Sequence, residues 1–325
     1  DTLRRWQPRM VLVLDPNPDE IRQLRQACPT TVIIGRVFEP DNVVDARIRA
    51  NPVEAAAWAH DKCMSRMTSD VDYWQFANEV LQKPDTLLLL NAFELERMRL
   101  ADASGYKCAI FGFSVGNPDL PEDDRMADWE LVYTAIEYAE TNRHCIALHQ
   151  YGMPDLWGPD GLYDWYIYRL EHQVLRRLPF KQVQFAVTEY GIDGLIQGQR
   201  GGWKNFTNAD DYTNQLLKSG SYAERFSGRI LGYAVFTLGH NAPWGTYDID
   251  GAVADQLATR SQRGTWNEVD TTVNDFAHES DVNEPGGTVP TEPTEPTQPA
   301  EPGEPEIPTE PTEPAIERRL TDWFD

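Results

Sequence analysis

Cysteine is scarce in this chain: four thiols in 325 residues, Cys28, Cys63, Cys108 and Cys145. They are too dispersed to supply the close pairs of a structural zinc site. Cys108 and Cys145 each open a strand candidate, which leaves a cross-ladder disulfide open; buried free thiols are the simpler reading. Positive charge is also short, with 29 Lys and Arg against 52 Asp and Glu and a net charge of −23. Residues 281–325 hold twelve acids and two arginines, a net of −10, so residues 1–280 carry −23 + 10 = −13. A domain this acidic lacks the Lys/Arg patches that attract nucleic acid or anionic lipid, and neither is expected as a partner. No apolar run approaches the roughly 20 residues of a membrane span. Among the histidines (His60, His144, His149, His172, His240 and His278) no two are spaced as metal ligands. No glycine-rich phosphate loop follows a strand, and no Gly-x-Ser-x-Gly elbow occurs. No metal and no cofactor is therefore expected.

Proline, by contrast, is concentrated at one end. From about Pro285 to Pro314 the chain repeats Thr-Glu-Pro, with Val289 and Ile307 as its large apolar side chains. Proline at that density blocks helix and sheet and favours an extended spacer. Such a segment cannot bury enough apolar surface to offset its ordering entropy. Three regions are expected: one large α/β domain over 1–280, a disordered linker over 281–314, and the start of a further module over 315–325. The charged and aromatic residues Arg318, Leu320, Trp323 and Phe324 suggest the last of these.

The domain alternates continuous apolar runs with amphipathic stretches. The strand candidates are Met10–Asp15, Thr31–Phe38, Tyr73–Glu79, Cys108–Ser114, Cys145–Tyr151, Val183–Glu189 and Ile230–Leu238. Helical patterns follow at Pro18–Ala27, Pro52–Met67, Thr86–Ser104, Glu122–Asn142, Leu162–Leu178 and Ala209–Ser219. Apolar strands separated by helices mark a parallel sheet covered on both faces. The spacing predicts a (β/α)8 TIM barrel without its first strand, which would lie upstream of Asp1 and leave two unpaired edges. An open doubly wound sheet ranks lower, for want of a phosphate loop.

Two phrases stand out: Phe76-Ala77-Asn78-Glu79 and Val187-Thr188-Glu189-Tyr190-Gly191. Each ends an apolar run with a glutamate. Strand alternation puts Gln75, Ala77 and Glu79 on one face and Trp74 and Phe76 on the other; in the later strand it puts Val187 and Glu189 inward. The glutamates lie three strands apart, so their side chains can converge across a barrel mouth. Two carboxylates so placed suffice to cleave a glycosidic bond.

With His149-Gln150-Tyr151 ending a strand between them, these phrases resemble the (β/α)8 glycoside hydrolase superfamily of cellulases, xylanases and β-mannanases (clan A). There an Asn-Glu pair ends the fourth strand and Thr-Glu-x-Gly the seventh, matched by Asn78-Glu79 and by Thr188-Glu189-Tyr190-Gly191. The resemblance covers roughly residues 10–250. It implies a retaining O-glycoside hydrolase acting on a β-linked polysaccharide or oligosaccharide, with Glu79 as general acid/base of raised pKa and Glu189 as nucleophile. It further implies substrate contacts from Asn78 and His149, and a hydrogen bond from Tyr151 to Glu189. Relatives carry an arginine beside the nucleophile at the end of strand two. Arg36 falls on strand three by the count above, so an ion pair with Glu39 or Asp41 is equally open. Two departures stand: Val80 replaces the proline that often follows Asn-Glu, and the tryptophan of the eighth strand is displaced to Trp244.

Trp157, Trp203 and Trp244 lie in loops after strands, where each is either a sugar platform or a packing anchor; Trp203 and Trp244 are taken as candidate substrate contacts. Spacers of the Thr/Glu/Pro kind join barrels to other modules in extracellular bacterial enzymes. That analogy of architecture implies a secreted or cell-surface location and attachment to further modules. The alternative function is a non-catalytic carbohydrate-binding barrel, which would carry the same aromatics and carboxylates.

Overall fold

The computed structural model describes residues 2–119, 126–157, 174–224, 228–239 and 242–262. The expected linker (281–314) and further module (315–325) lie outside these residues, as does most of the expected helix Leu162–Leu178.

Seven parallel strands form one sheet in sequence order: β1 (Met10–Leu14), β2 (Val32–Arg36), β3 (Tyr73–Gln75), β4 (Cys108–Phe113), β5 (Cys145–Gly152), β6 (Gln184–Ile192) and β7 (Ile230–Val235). The helices are α1 (Thr2–Trp6), α2 (Pro18–Ala27), α3 (Asp41–Ala50), α4 (Pro52–Met64), α5 (Leu87–Ala103), α6 (Ala127–Glu130), α7 (Tyr133–Asn142), α8 (Leu175–Arg177), α9 (Ala209–Glu224) and α10 (Ala252–Gln262). Local signals set several starts. Asn17 accepts from Asp19 N and Asn51 from Val53 N and Glu54 N, and each is followed by a proline at the first helical position; such caps satisfy amides that the first turn leaves orphaned. None of the described helices is long and apolar enough to cross a membrane.

Apolar side chains divide into two layers. The larger packs strand residues such as Ile33, Trp74, Phe76, Ile110, Ile146, Phe185 and Val187 under the helices. The smaller lies inside the sheet and holds Met10, Ile34, Ala109, Cys145, Ala147 and Ala186. Small side chains suit an interior this narrow. All four cysteines are buried and free; burial pushes the Cys63 and Cys108 thiols up to about 11 and about 12.

The sheet curls until β1 lies beside β7 without pairing with it, as expected of a barrel short of one strand. Arg9 Nη2 donates to the Ile230 carbonyl at 3.2 Å. A Cβ at Gly232 would stand 2.6 Å from Met10 Cβ, so the absence of a side chain there is what admits β1 beside β7. No ladder joins these two edges among the described residues.

Candidate active site

Glu79 and Glu189 are brought together, but strand alternation is not what aims them. β3 stops at Gln75. Trp74 and Phe76 do pack outward, yet Ala77 joins that outer layer too, and Glu79 takes a left-handed φ of 53° in the loop beyond. Its amide donates to Gly112 O at 2.8 Å, which ties the loop to the end of β4. In β6, Val187 packs outward with the helices rather than inward. A register shift follows: Leu148 pairs with Val187, but His149 pairs with Glu189. The extra residue, Thr188, restores the inward direction to Glu189.

The carboxylates meet around His149. His149 Nδ1 lies 2.6 Å from Glu79 Oε1 and 3.5 Å from Glu189 Oε2. One oxygen of each glutamate and a ring nitrogen of His149 all lie within 4.8 Å of one another. Tyr151 donates its hydroxyl to Glu189 Oε2 at 2.9 Å, and Arg36 Nη1 donates to Glu189 Oε1 at 3.0 Å. Arg36 therefore reaches across the barrel to Glu189 rather than pairing with Glu39, which binds Lys62 at 2.5 Å. The Glu79 side chain is 40% exposed and Glu189 17%. Partial burial pushes the Glu79 carboxyl up, but the hydrogen bond with His149 and the charges of His149 and Arg36 outweigh it and hold it below its ordinary value. That is opposite in sign to the raised pKa implied by the resemblance. Burial and then the Glu189 charge push the Tyr151 phenol well up, so it stays a donor.

Buried polar atoms without a partner here include Asn78 Oδ1, Arg36 Nε, His149 Nε2 and Thr188 Oγ1. Unsatisfied buried groups are costly unless something else binds them. The glutamate–histidine triad has the donor types of a metal site, but Arg36 already supplies a positive charge against Glu189, and a cation would have to displace or oppose it.

A cavity of about 380 Å³ is walled by Arg36, Glu189, Thr188, Leu14 and Phe236. Another of about 310 Å³ adjoins Glu79, with Arg49, Gln82 and Lys83 on its wall. The glutamates thus line two different depressions. A larger one, about 580 Å³, lies beneath the β1–β7 seam among Trp6, Tyr190, Leu216 and Tyr233 and touches neither glutamate.

The tryptophans correct part of the expectation. Trp203 is 7% exposed. It stacks on Tyr212 and gives its indole N–H to Tyr247 O at 3.1 Å, which makes it a packing anchor. Trp157 likewise bonds Gln215 O and Ser219 Oγ. Trp244 is 38% exposed and packs edge-on against Phe236, which walls the Glu189 cavity. Asp41, at the start of α3, belongs to the site by its charge. Partial burial pushes its carboxyl up, Arg36 and His149 pull it down, and Glu79 and Glu189 push it up again. No motif marked it, because a lone aspartate at a helix start reads first as a cap.

Among solved structures, ScGas2 in complex with a compound superposes with a TM-score of 0.50 at 12% identity, over 81% of this chain and 57% of that one. The likeness is one of fold, a parallel α/β barrel of the TIM type. A glucosidase from Croceicoccus marinus gives 0.47 at 10% identity, over 81% and 62%. Saccharomyces cerevisiae Gas2p, as a mutant with laminaritetraose and laminaripentaose, gives 0.47 at 10%, over 83% and 57%. The chain spans less than two thirds of the length of these neighbours. No family model matches it, and no curated protein matches it.

Proposed function

We propose that this barrel is a retaining O-glycoside hydrolase acting on a β-linked polysaccharide or oligosaccharide, with Glu189 as nucleophile and Glu79 as acid/base. The observation that carries the reading is that one oxygen of each carboxylate lies within 4.8 Å of the other, with no room for a water-wide gap between them. Retaining enzymes hold theirs about 5–5.5 Å apart, whereas inverting ones leave about 6.5–9.5 Å for a water.

In the first step Glu189 attacks the anomeric carbon, the bond to the leaving oxygen breaks, and the Glu79 proton goes to that oxygen. In the second, Glu79 takes a proton from water, whose oxygen displaces Glu189. Arg36 and Tyr151, both donating to Glu189, leave its oxygens charged and oriented for attack. Asn78 Oδ1, unpartnered and adjacent to Glu79, would accept from a sugar hydroxyl. Trp244, half exposed beside the cavity, offers a ring face. A secreted or cell-surface location, with further modules attached through the Thr/Glu/Pro spacer, fits a polymeric substrate.

The depressed Glu79 carboxyl favours the second reading, a carbohydrate-binding barrel without turnover, because a proton donor must hold its proton. Trapping with 2,4-dinitrophenyl 2-deoxy-2-fluoro-β-glycosides of glucose, mannose and xylose decides between them. A glycosyl adduct mapped to Glu189 by mass spectrometry supports catalysis. Calorimetric glycan binding with no adduct and no turnover supports the binding barrel. Undiminished hydrolysis in both Glu79→Ala and Glu189→Ala would remove these residues from the chemistry.

A further inference from the structure

The backbone around Glu79 is strained in a patterned way. Glu79 and Leu81 both have φ of 53°, and across from them Phe111 has φ of 76° and Gly112 of 63°. A residue with a Cβ holds such a conformation only where its surroundings enforce it. At Phe111–Gly112 the pairing of β4 with β5 slips by one residue. The bulge turns the Gly112 carbonyl onto the Glu79 amide, 2.8 Å away. Gln82 completes the link: its Nε2 donates to Glu79 O at 3.1 Å and its Oε1 accepts from Ser114 N at 2.7 Å. Both backbone polar groups of Glu79 are therefore tied to the end of β4.

Beneath the bulge lies an ion pair, Glu94 and Arg97 on α5, whose side chains are fully buried. Its spare bonding capacity goes to the strands. Glu94 Oε1 accepts from Phe111 N at 2.9 Å, while Glu94 Oε2 accepts from Arg97 Nε at 2.7 Å. Arg97 Nη1 donates to Trp74 O on β3 at 3.0 Å and Nη2 to Ala109 O on β4 at 2.9 Å. A buried ion pair is a poor source of stability for its desolvation cost. It does hold β3, β4 and the left-handed Phe111 in one fixed relation.

We propose that Glu94 and Arg97 are positioning residues for Glu79, acting through the Phe111–Gly112 bulge rather than by contact with substrate. The inference rests on reading Glu79 as the proton donor. A proton donor misplaced by about 1 Å costs on the order of 10²-fold in rate, and the cost falls on substrates whose leaving group needs the proton.

Two variants loosen the clamp at different points. Glu94→Gln has one oxygen where the carboxylate has two, so it cannot accept from both Phe111 N and Arg97. Gly112→Ala puts a Cβ 2.6 Å from Ala77 O. Met98→Ala, a core truncation on the same helix, is the control for lost stability alone. The measurement is the ratio of kcat/KM for a 2,4-dinitrophenyl β-glycoside to that for the methyl β-glycoside, which does not depend on the folded fraction. A rise of about 10-fold or more in both clamp variants, with none in Met98→Ala, is expected. Ratios equal to wild type in both clamp variants would overturn the proposal and leave the pair a purely structural one. Hydrogen exchange at the Glu79 amide gives a readout free of activity. Its protection should fall about 10-fold or more in the clamp variants while Ala147 on β5 keeps its own. If wild type hydrolyses no glycoside but the Glu79 amide still depends on the clamp, the hydrolase reading fails and the clamp stands. An amide unaffected by either variant sinks the clamp whatever the activity.

Discussion

Replacing Arg36 by methionine tests the site at its buried cation. The guanidinium lies 3.0 Å from Glu189 Oε1, with the two side chains 10% and 17% exposed. Breaking a buried pair costs about 3–5 kcal/mol, and losing a charge-assisted hydrogen bond about 1.5–3 kcal/mol. Glu189 keeps the Tyr151 hydroxyl at 2.9 Å, so the lower range applies. A loss of about 2 kcal/mol should drop Tm by about 4–8 °C in a domain of this size. If Glu189 is the nucleophile proposed, the same energy in the transition state is about 30-fold in kcat/KM, and a carboxylate freed to rotate brings the loss toward 10²-fold. Arg36→Lys should recover only part, since it restores the charge without the planar fork. The assays are thermal melting and initial rates on an aryl β-glycoside. A methionine variant within 1 °C and within twofold of wild type would show that Arg36 and Glu189 are not coupled.

Gly232→Ala should cost about 1–3 kcal/mol of overpacking, because its Cβ would stand 2.6 Å from Met10 Cβ at the closing seam; an unchanged melting temperature would show that β1 and β7 part freely. His144 should make stability pH-dependent. Burial, opposed by its bond to Asp102, lowers its pKa from 6.5 to about 4. The unfolded chain then takes up a proton that the folded one refuses, so stability is complete above about pH 6.5 and falls by roughly 3 kcal/mol as the pH drops toward 4. Urea titrations of wild type and His144→Gln across that window should diverge in slope, and parallel curves would contradict the assignment.

The strands were legible because parallel strands covered on both faces read as unbroken apolar runs, and all seven were placed with ends a few residues off. Helices α3 and α10 were not anticipated. In α3 the apolar Val44 and Ile48 sit among charges such as Asp45, Arg47 and Arg49, so its buried face is narrow. The residues that gather around His149 were legible in short motifs as candidates, but their aim was not. Alternation along a strand assumes an unbroken ladder. β3 ends four residues before Glu79, and the bulge at Thr188 reverses the facing that Val187 would impose on Glu189. Both glutamates reach His149 through irregularities that no residue type announces. Trp203 shows the converse limit: a tryptophan beside two glycines reads as a loop platform, while its burial depends on Tyr212 and Tyr247 from distant elements.

On the proposed reading of Glu79 as proton donor, its carboxyl sets the pH range in which the free protein begins the reaction. Its carboxyl is pushed up by partial burial, but the His149 bond and the charges of His149 and Arg36 bring it below its ordinary value. The protonated form that can supply a leaving oxygen is thus confined to acid pH. For a methyl β-glycoside, kcat/KM should fall as the pH rises through that range, while a dinitrophenyl glycoside, which needs no proton, should hold its rate. Neighbouring charges should move this alkaline limb in opposite directions. Asp41 and Glu79 each disfavour the other's ionisation, so Asp41→Asn should ease the ionisation of Glu79 and carry the limb to lower pH. His149→Phe removes both the hydrogen bond and the charge that lower Glu79, and should carry the limb to higher pH even as the rate drops. Limb positions do not depend on how much enzyme is folded, so each shift reads the electrostatics of Glu79 directly. A limb unmoved in both variants would mean that another group delivers the proton.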